Sequence, residues 1–304
     1  MSSSRSSRIV AFIAVSLLAL ELLRVPRAEA QTRTNPPTEH RLDWKWHRFG
    51  VFDYALTAVL TASYLTVEFA VPPPTEPNWR GGILFDESVR DAMVAESRTG
   101  RDRAAILSDI LTLAPQAIAV VDTVVVPLVF DNGNFDVAVQ MALIDIQAFA
   151  SIGLLSRSGH RFIARERPDV SPCTSDREYH GLCLGGRYAS FPSGHTASAF
   201  GGAGLICAHH ARLPLYGGGA PDVVVCVAGL GMATSASLLR VTSDRHYISD
   251  VIVGAGLGVG LGFVVPYFVH YRAANAAKSR ADSGWMLQPS VNENTLALNA
   301  TGWF

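Results

Sequence analysis

The sequence predicts an all-α protein, a multi-pass bundle of about six apolar helices with a short C-terminal β-hairpin. Three observations predict it. Of 304 residues, 49% are hydrophobic and 17% charged, against about 25% charged in ordinary soluble chains. The apolar residues gather near 52–70, 104–130, 135–155, 192–211, 222–239 and 248–271, and several of these segments approach the ~20 residues that span a bilayer. Small residues recur in them, above all Gly254, Gly256, Gly258, Gly260 and Gly262, and such residues let helix backbones approach closely in lipid.

Taken in order, residues 1–30 read as an export signal. Arg5 and Arg8 form its basic region, Ile9–Leu20 its apolar stretch, and Ala28-Glu29-Ala30 a small-x-small site before Gln31. Residues 31–103 form an N-terminal region holding the first apolar helix, 52–70, bounded by Asp53 and Glu68 and not expected to make a simple crossing. Prolines 72–74 open its polar part, in which "DESVRDAMVAESRTGRDRAA" reads as one amphipathic helix. The core is expected over 104–272. Pro115 and Pro127 predict kinks or breaks in its first segment. Asp109, Asp122, Asp136 and Asp145 are expected between helices, because ionisable groups at membrane depth need partners; the alternative is a soluble helical protein with a very apolar core. In the tail, 273–304, two short strands are expected around Asn292-Glu293-Asn294.

Cys173 and Cys183 lie ten apart in a polar segment, and an exported chain meets an oxidising compartment, so a bridge between them is expected. Their spacing is not that of a metal site. Cys207 and Cys226, inside apolar stretches, read as small buried hydrophobes. The net charge is −1, and no basic tract alternates with aromatics, which excludes a nucleic-acid footprint.

Polar clusters stand at the edges of three apolar segments. In "FPSGHTAS", Pro192 is expected at the first helical position, with Ser193 and Gly194 offering a hydroxyl and bare backbone to an anion at the helix start. In "HRFIARERPDV", His160 and Arg167 stand seven apart, on one helical face, while Arg157, Arg161 and Arg165 form a separate basic stripe. In "LLRVTSDRHYISD", His246 and Asp250 stand four apart, which on a helix sets the carboxylate beside the imidazole. Arg167 and Arg240 supply forked donors that match phosphate geometry. His246, braced by Asp250, is the expected nucleophile, and His195 the proton donor to the leaving oxygen. The product is a phosphohistidine, later hydrolysed.

With these residues in place, the chain resembles the type 2 phosphatidic acid phosphatase family, related to bacterial class A acid phosphatases and vanadium haloperoxidases. The family's first motif is a lysine, six residues, then Arg-Pro, matched by Arg167-Pro168. The second, Pro-Ser-Gly-His, is matched by residues 192–195. The third, Ser-Arg, five residues, His, three residues, Asp, is matched by Arg240, His246 and Asp250. The chain departs from the pattern at the lysine position, which is His160 with Arg161 beside it, and at Leu239, where the family has Ser.

The resemblance implies a helical bundle with its site at a membrane face and metal-independent phosphatase activity, often on lipid phosphates. We expect a phosphorylated lipid as substrate, no cofactor, no nucleic-acid partner, and a bacterial inner membrane with the site facing the periplasm. The rival readings are a soluble periplasmic acid phosphatase, a vanadate-dependent haloperoxidase and a non-catalytic membrane scaffold.

Overall fold

The computed structural model describes residues 40–175 and 186–272, and the backbone of 284–292 and 295–303. The expected signal and Cys183 lie outside the described residues. The helices are α1 (Val51–Phe69), α2 (Asp86–Met93), α3 (Arg98–Phe130), α4 (Phe135–Ile163), α5 (Val170–Ser175), α6 (Gly194–His210), α7 (Ala220–Thr242) and α8 (Ile248–His270). In the tail, the backbones of β1 (Gly284–Asn292) and β2 (Thr295–Trp303) run antiparallel, from Gly284↔Trp303 to Asn292↔Thr295.

Among the described residues, four helices, α3, α4, α7 and α8, are long and apolar enough to cross a membrane. Their outward faces expose Ile110, Leu113, Val223, Val227, Ile252 and Phe268, the kind of apolar surface that marks membrane contact. Side chains cap the helices locally. Ser97 accepts from the Gly100 N–H (3.1 Å) at the start of α3, and Asn134 from the Val137 N–H (3.2 Å) at the start of α4.

The stretch expected as one amphipathic helix is two. It breaks at Val94, which is extended, and restarts after the Ser97 cap, because a capping serine is a stronger local signal than charge periodicity. Pro115 does not break α3, which runs on into wider π-helical turns over Val121–Phe130 that absorb Pro127.

The buried axis of the bundle is α6. It packs on α8 through a ladder of absent side chains. A Cβ on Gly254, Gly258 or Gly262 would fall 2.6, 2.5 and 2.3 Å from the carbonyl oxygens of Ser193, Ala197 and Gly201. The two helices therefore touch backbone to backbone, in parallel, one turn at a time. Gly256 and Gly260, on the other side of α8, meet nothing within 4 Å. On another face of α6, Gly202 lies against the backbone of Pro115 and Gln116.

Two ends follow from this axis. At one, the start of α6 meets the start of α8, where the Ser193 N–H donates to the Asp250 carbonyl (3.0 Å). At the other, about 25 Å away by helical rise, His209 lies between Asp145 (2.8 Å) and Tyr271 (2.5 Å), and His210 between Asp122 and Asp222. Asp122 and Asp145 thus find partners between helices, as expected. Asp136 pairs instead with Arg48 (2.6 Å) at the surface. Asp131 accepts the backbone N–H groups of Arg41 (2.6 Å) and Leu42 (3.1 Å), tying the incoming chain across this second end.

The first apolar helix runs along α4, from the Phe49 N–H on Gln140 (3.0 Å) at one end to Glu68 on Arg157 (2.7 Å) at the other. One expectation is overturned outright. Cys207 and Cys226 form a disulfide, with Cα atoms 4.7 Å apart. Their composition read as core, but antiparallel packing of α6 and α7 sets the two side chains face to face.

Candidate active site

His246 lies in the turn between α7 and α8 and is almost wholly buried. Its Nδ1–H donates to the Ser190 carbonyl at 2.8 Å. A carbonyl only accepts, so the proton resides on Nδ1 and the lone pair on Nε2. Nε2 is buried and has no partner among the described residues. Burial, reinforced by Arg167, Arg240, His195 and His160, pushes the ring's pKa well below its ordinary 6.5. The result is a neutral imidazole with a free, sheltered lone pair surrounded by positive charge.

Asp250 is not the direct partner of this ring. Its Oδ2 stands 3.9 Å from Nδ1, beyond hydrogen-bond range. The helix begins only at Ile248, so His246 and Asp250 are not four apart on a helix, and the expected contact fails for that reason. Asp250 instead accepts from the Ser190 hydroxyl (2.6 Å), the Tyr247 N–H (3.0 Å) and Arg165 Nη1 (2.6 Å). Ser190 therefore mediates, its hydroxyl donating a hydrogen bond to Asp250 and its carbonyl accepting one from His246 Nδ1–H.

His195, in the first turn of α6, places Nε2 3.1 Å from Asp109 Oδ1 on α3. The same oxygen accepts from Arg240 Nη1 at 2.9 Å. Sequence reasoning gave His195 no carboxylate and missed Asp109 as a site residue. The available signal was an aspartate inside an apolar segment, which needs a partner.

The helix start is also two residues off expectation. Ser193 is the N-cap, accepting from the Thr196 N–H (3.4 Å) and the Thr196 hydroxyl (3.0 Å), and α6 begins at Gly194. Pro192, after a cis peptide bond, lies outside the helix. The first N–H groups of a helix have no partner within it, so the Gly194 and His195 amides are the donors this end offers.

His160 and Arg167 do not share a helical face. The helix ends at Ile163, Ala164 takes a left-handed conformation (φ 49°), and Arg167 follows on the segment beyond. Burial is the largest influence on Arg167; with Arg245 nearby and Asp169 opposing, its pKa comes down to about 10, still cationic at neutral pH. His160 Nε2–H donates to the Pro192 carbonyl (2.9 Å), bracing the turn that leads to Gly194. Arg161 reaches the Glu68 carbonyl (3.2 Å) at the end of α1. Arg165 leaves the expected basic stripe altogether and is fully buried.

A helix start, two guanidinium groups and two imidazoles with distinct partners can hold a tetrahedral anion and attack it from one side. Residues 142–274 match the family model described as the PAP2 superfamily. The lipid A 1-phosphatase of Porphyromonas gingivalis is 31% identical over 124 residues, 40% of this chain. The aligned stretch is only 22% of that relative's length. The crystal structure of a transmembrane PAP2-type phosphatidylglycerolphosphate phosphatase from Bacillus subtilis aligns with a TM-score of 0.45 at 20% identity, over 72% of this chain and 94% of that one.

Proposed function

From the PAP2-superfamily match over residues 142–274, we propose that this chain is a metal-independent phosphatase acting on lipid phosphate monoesters or pyrophosphates. His246 Nε2 attacks phosphorus while the bond to the leaving oxygen breaks. His195 gives that oxygen its proton. Water then attacks the phosphohistidine, His195 takes up a water proton, and the P–N bond breaks to free phosphate and the neutral ring. Arg167, Arg240, Ser193 and the Gly194 amide stabilise charge on the phosphoryl oxygens. Asp109 holds His195 and Arg240 in their places before substrate arrives.

The observation that carries this reading is an Nε2 without a partner among the described residues, on a ring whose other nitrogen is tied to the Ser190 carbonyl. His160, with Nε2–H committed to Pro192, supports the turn rather than supplying the charge of the family's lysine. Six apolar helices, a terminal hairpin and an inner-membrane position with the site facing the periplasm complete the proposal.

The test is phosphate release by purified full-length protein from phosphatidic acid and lipid pyrophosphates, in the presence of chelator. Activity should persist in chelator, and His246→Ala should lower kcat by roughly 10³-fold or more. A fully active His246→Ala protein would sink the assignment.

A further inference from the structure

Outside the family-matched stretch, the segment Asn78–Ala95 lies across the turn that holds His246. Its backbone joins the other side of the site: the Asn78 N–H donates to the Ala164 carbonyl (3.1 Å), and the Glu166 N–H to the Trp79 carbonyl (2.8 Å). At its far end the Ala95 N–H donates to the Thr242 carbonyl (3.0 Å). Between these anchors, Arg90 grips Asp244 with two bonds of 2.7 Å, two residues before His246.

The centre of the contact is Asp86, which is fully buried. Its Oδ2 accepts from Arg165 Nη2 (2.8 Å) and the Ser249 hydroxyl (2.7 Å), and its Oδ1 from the Ser249 N–H (2.9 Å) in the first turn of α8. Arg165 is equally buried. It bridges Asp86 to Asp250 (2.6 Å), and its guanidinium lies 4.0 Å from the Trp79 ring centroid and 4.2 Å from that of Tyr247. One buried cation thus stands between two buried carboxylates, and both carboxylates act on the start of α8, where His246 enters. Breaking such a pair leaves an uncompensated buried charge, so the arrangement is rigid or absent.

We propose that Asp86 is a positioning residue for the His246 nucleophile, acting through Arg165, Ser249 and Asp250, so that Asn78–Ala95 completes the active site. This rests on the phosphatase reading above. Asp86 touches no reacting atom. It fixes the turn from which the ring projects, and a displacement of about 1 Å at such a point can cost about 10²-fold in rate.

The experiment compares wild type, Asp86→Asn and Ser249→Ala as full-length purified protein. It measures kcat and KM on phosphatidic acid, binding of inorganic vanadate and of inorganic phosphate, and thermal unfolding. Vanadate takes a fifth ligand and reports an aligned nucleophile, whereas phosphate reports the anion cradle alone. We expect Asp86→Asn to lose about tenfold or more in kcat and in vanadate affinity, with KM and phosphate affinity within about twofold. Ser249→Ala, which keeps the backbone bond to Asp86, should show a smaller loss of the same kind, and it carries the test if Asp86→Asn does not fold. Wild-type kcat and vanadate affinity in the folded variants would overturn the positioning role while leaving the phosphatase reading intact. A wild-type protein that neither releases phosphate nor binds vanadate would overturn both.

Discussion

At the scale of single residues, the proposed chemistry depends on which nitrogen of His246 holds the proton. The Ser190 carbonyl settles it, because it accepts only from Nδ1–H. Burial and the surrounding cations then oppose a second proton. The unfolded ring binds a proton near 6.5 and the folded ring does not, so this group's contribution to stability is present above that pH and falls as pH drops below it. For activity the sign is the same. Corrected for the substrate's own ionisation, the acid limb of kcat/KM should lie well below 6.5, read from phosphate release between about pH 4 and 8. A limb at the ordinary histidine value would show a ring open to water. Arg167, Arg240, Ser193 and Gly194 could be nominated from the sequence because helix starts and arginines have properties of their own. The bonds of Asp250 and His160 were not, since they turn on where a helix begins and ends within one or two residues.

At the scale of elements, the glycines of α8 divide into two kinds that composition cannot separate. Gly254, Gly258 and Gly262 recur every four residues and meet α6 carbonyl oxygens, whereas Gly256 and Gly260 face open space. Gly262→Ala should therefore destabilise the protein by about 1–3 kcal/mol through overpacking against the Gly201 backbone. Gly256→Ala should be neutral or slightly stabilising, since alanine is the better helix former. Thermal unfolding in detergent separates the two, and equal behaviour would mean that the α6–α8 contact is looser than a backbone ladder. The site depends on this contact because it joins Ser193 to Asp250 and brings the two helix starts together. The first turn of α6 presents His195 only because α8 can lie this close.

At the scale of the whole molecule, the chain crosses between two ends of different character. One end gathers His195, His246, Arg167 and Arg240. The other holds the His209 and His210 networks and the incoming segment at Arg41–Phe49. Cys173, on the side of the site, is disulfide-bonded, and such bonds form in oxidising compartments. The Cys207–Cys226 bridge lies between helices and favours neither face. On the proposed periplasmic orientation, a cysteine placed at exposed Arg187 should react with a membrane-impermeant thiol reagent in intact cells, and one at exposed Lys45 should not. The reverse pattern would turn the site toward the cytoplasm.

The sequence by itself determined the helical class, the position of each long apolar helix and the residues of the three polar clusters, because hydropathy, capping and short motifs act over a few consecutive residues. Tertiary structure alone decided that Asp109 reaches His195, that Ser190 stands between His246 and Asp250, that Cys207 meets Cys226, and that Asp86 and Arg165 share one buried network. Those pairings join residues as distant in the sequence as Asp109 and His195, or Asp86 and Arg165. No local preference encodes them: each exists only once the helices have packed and brought distant residues together.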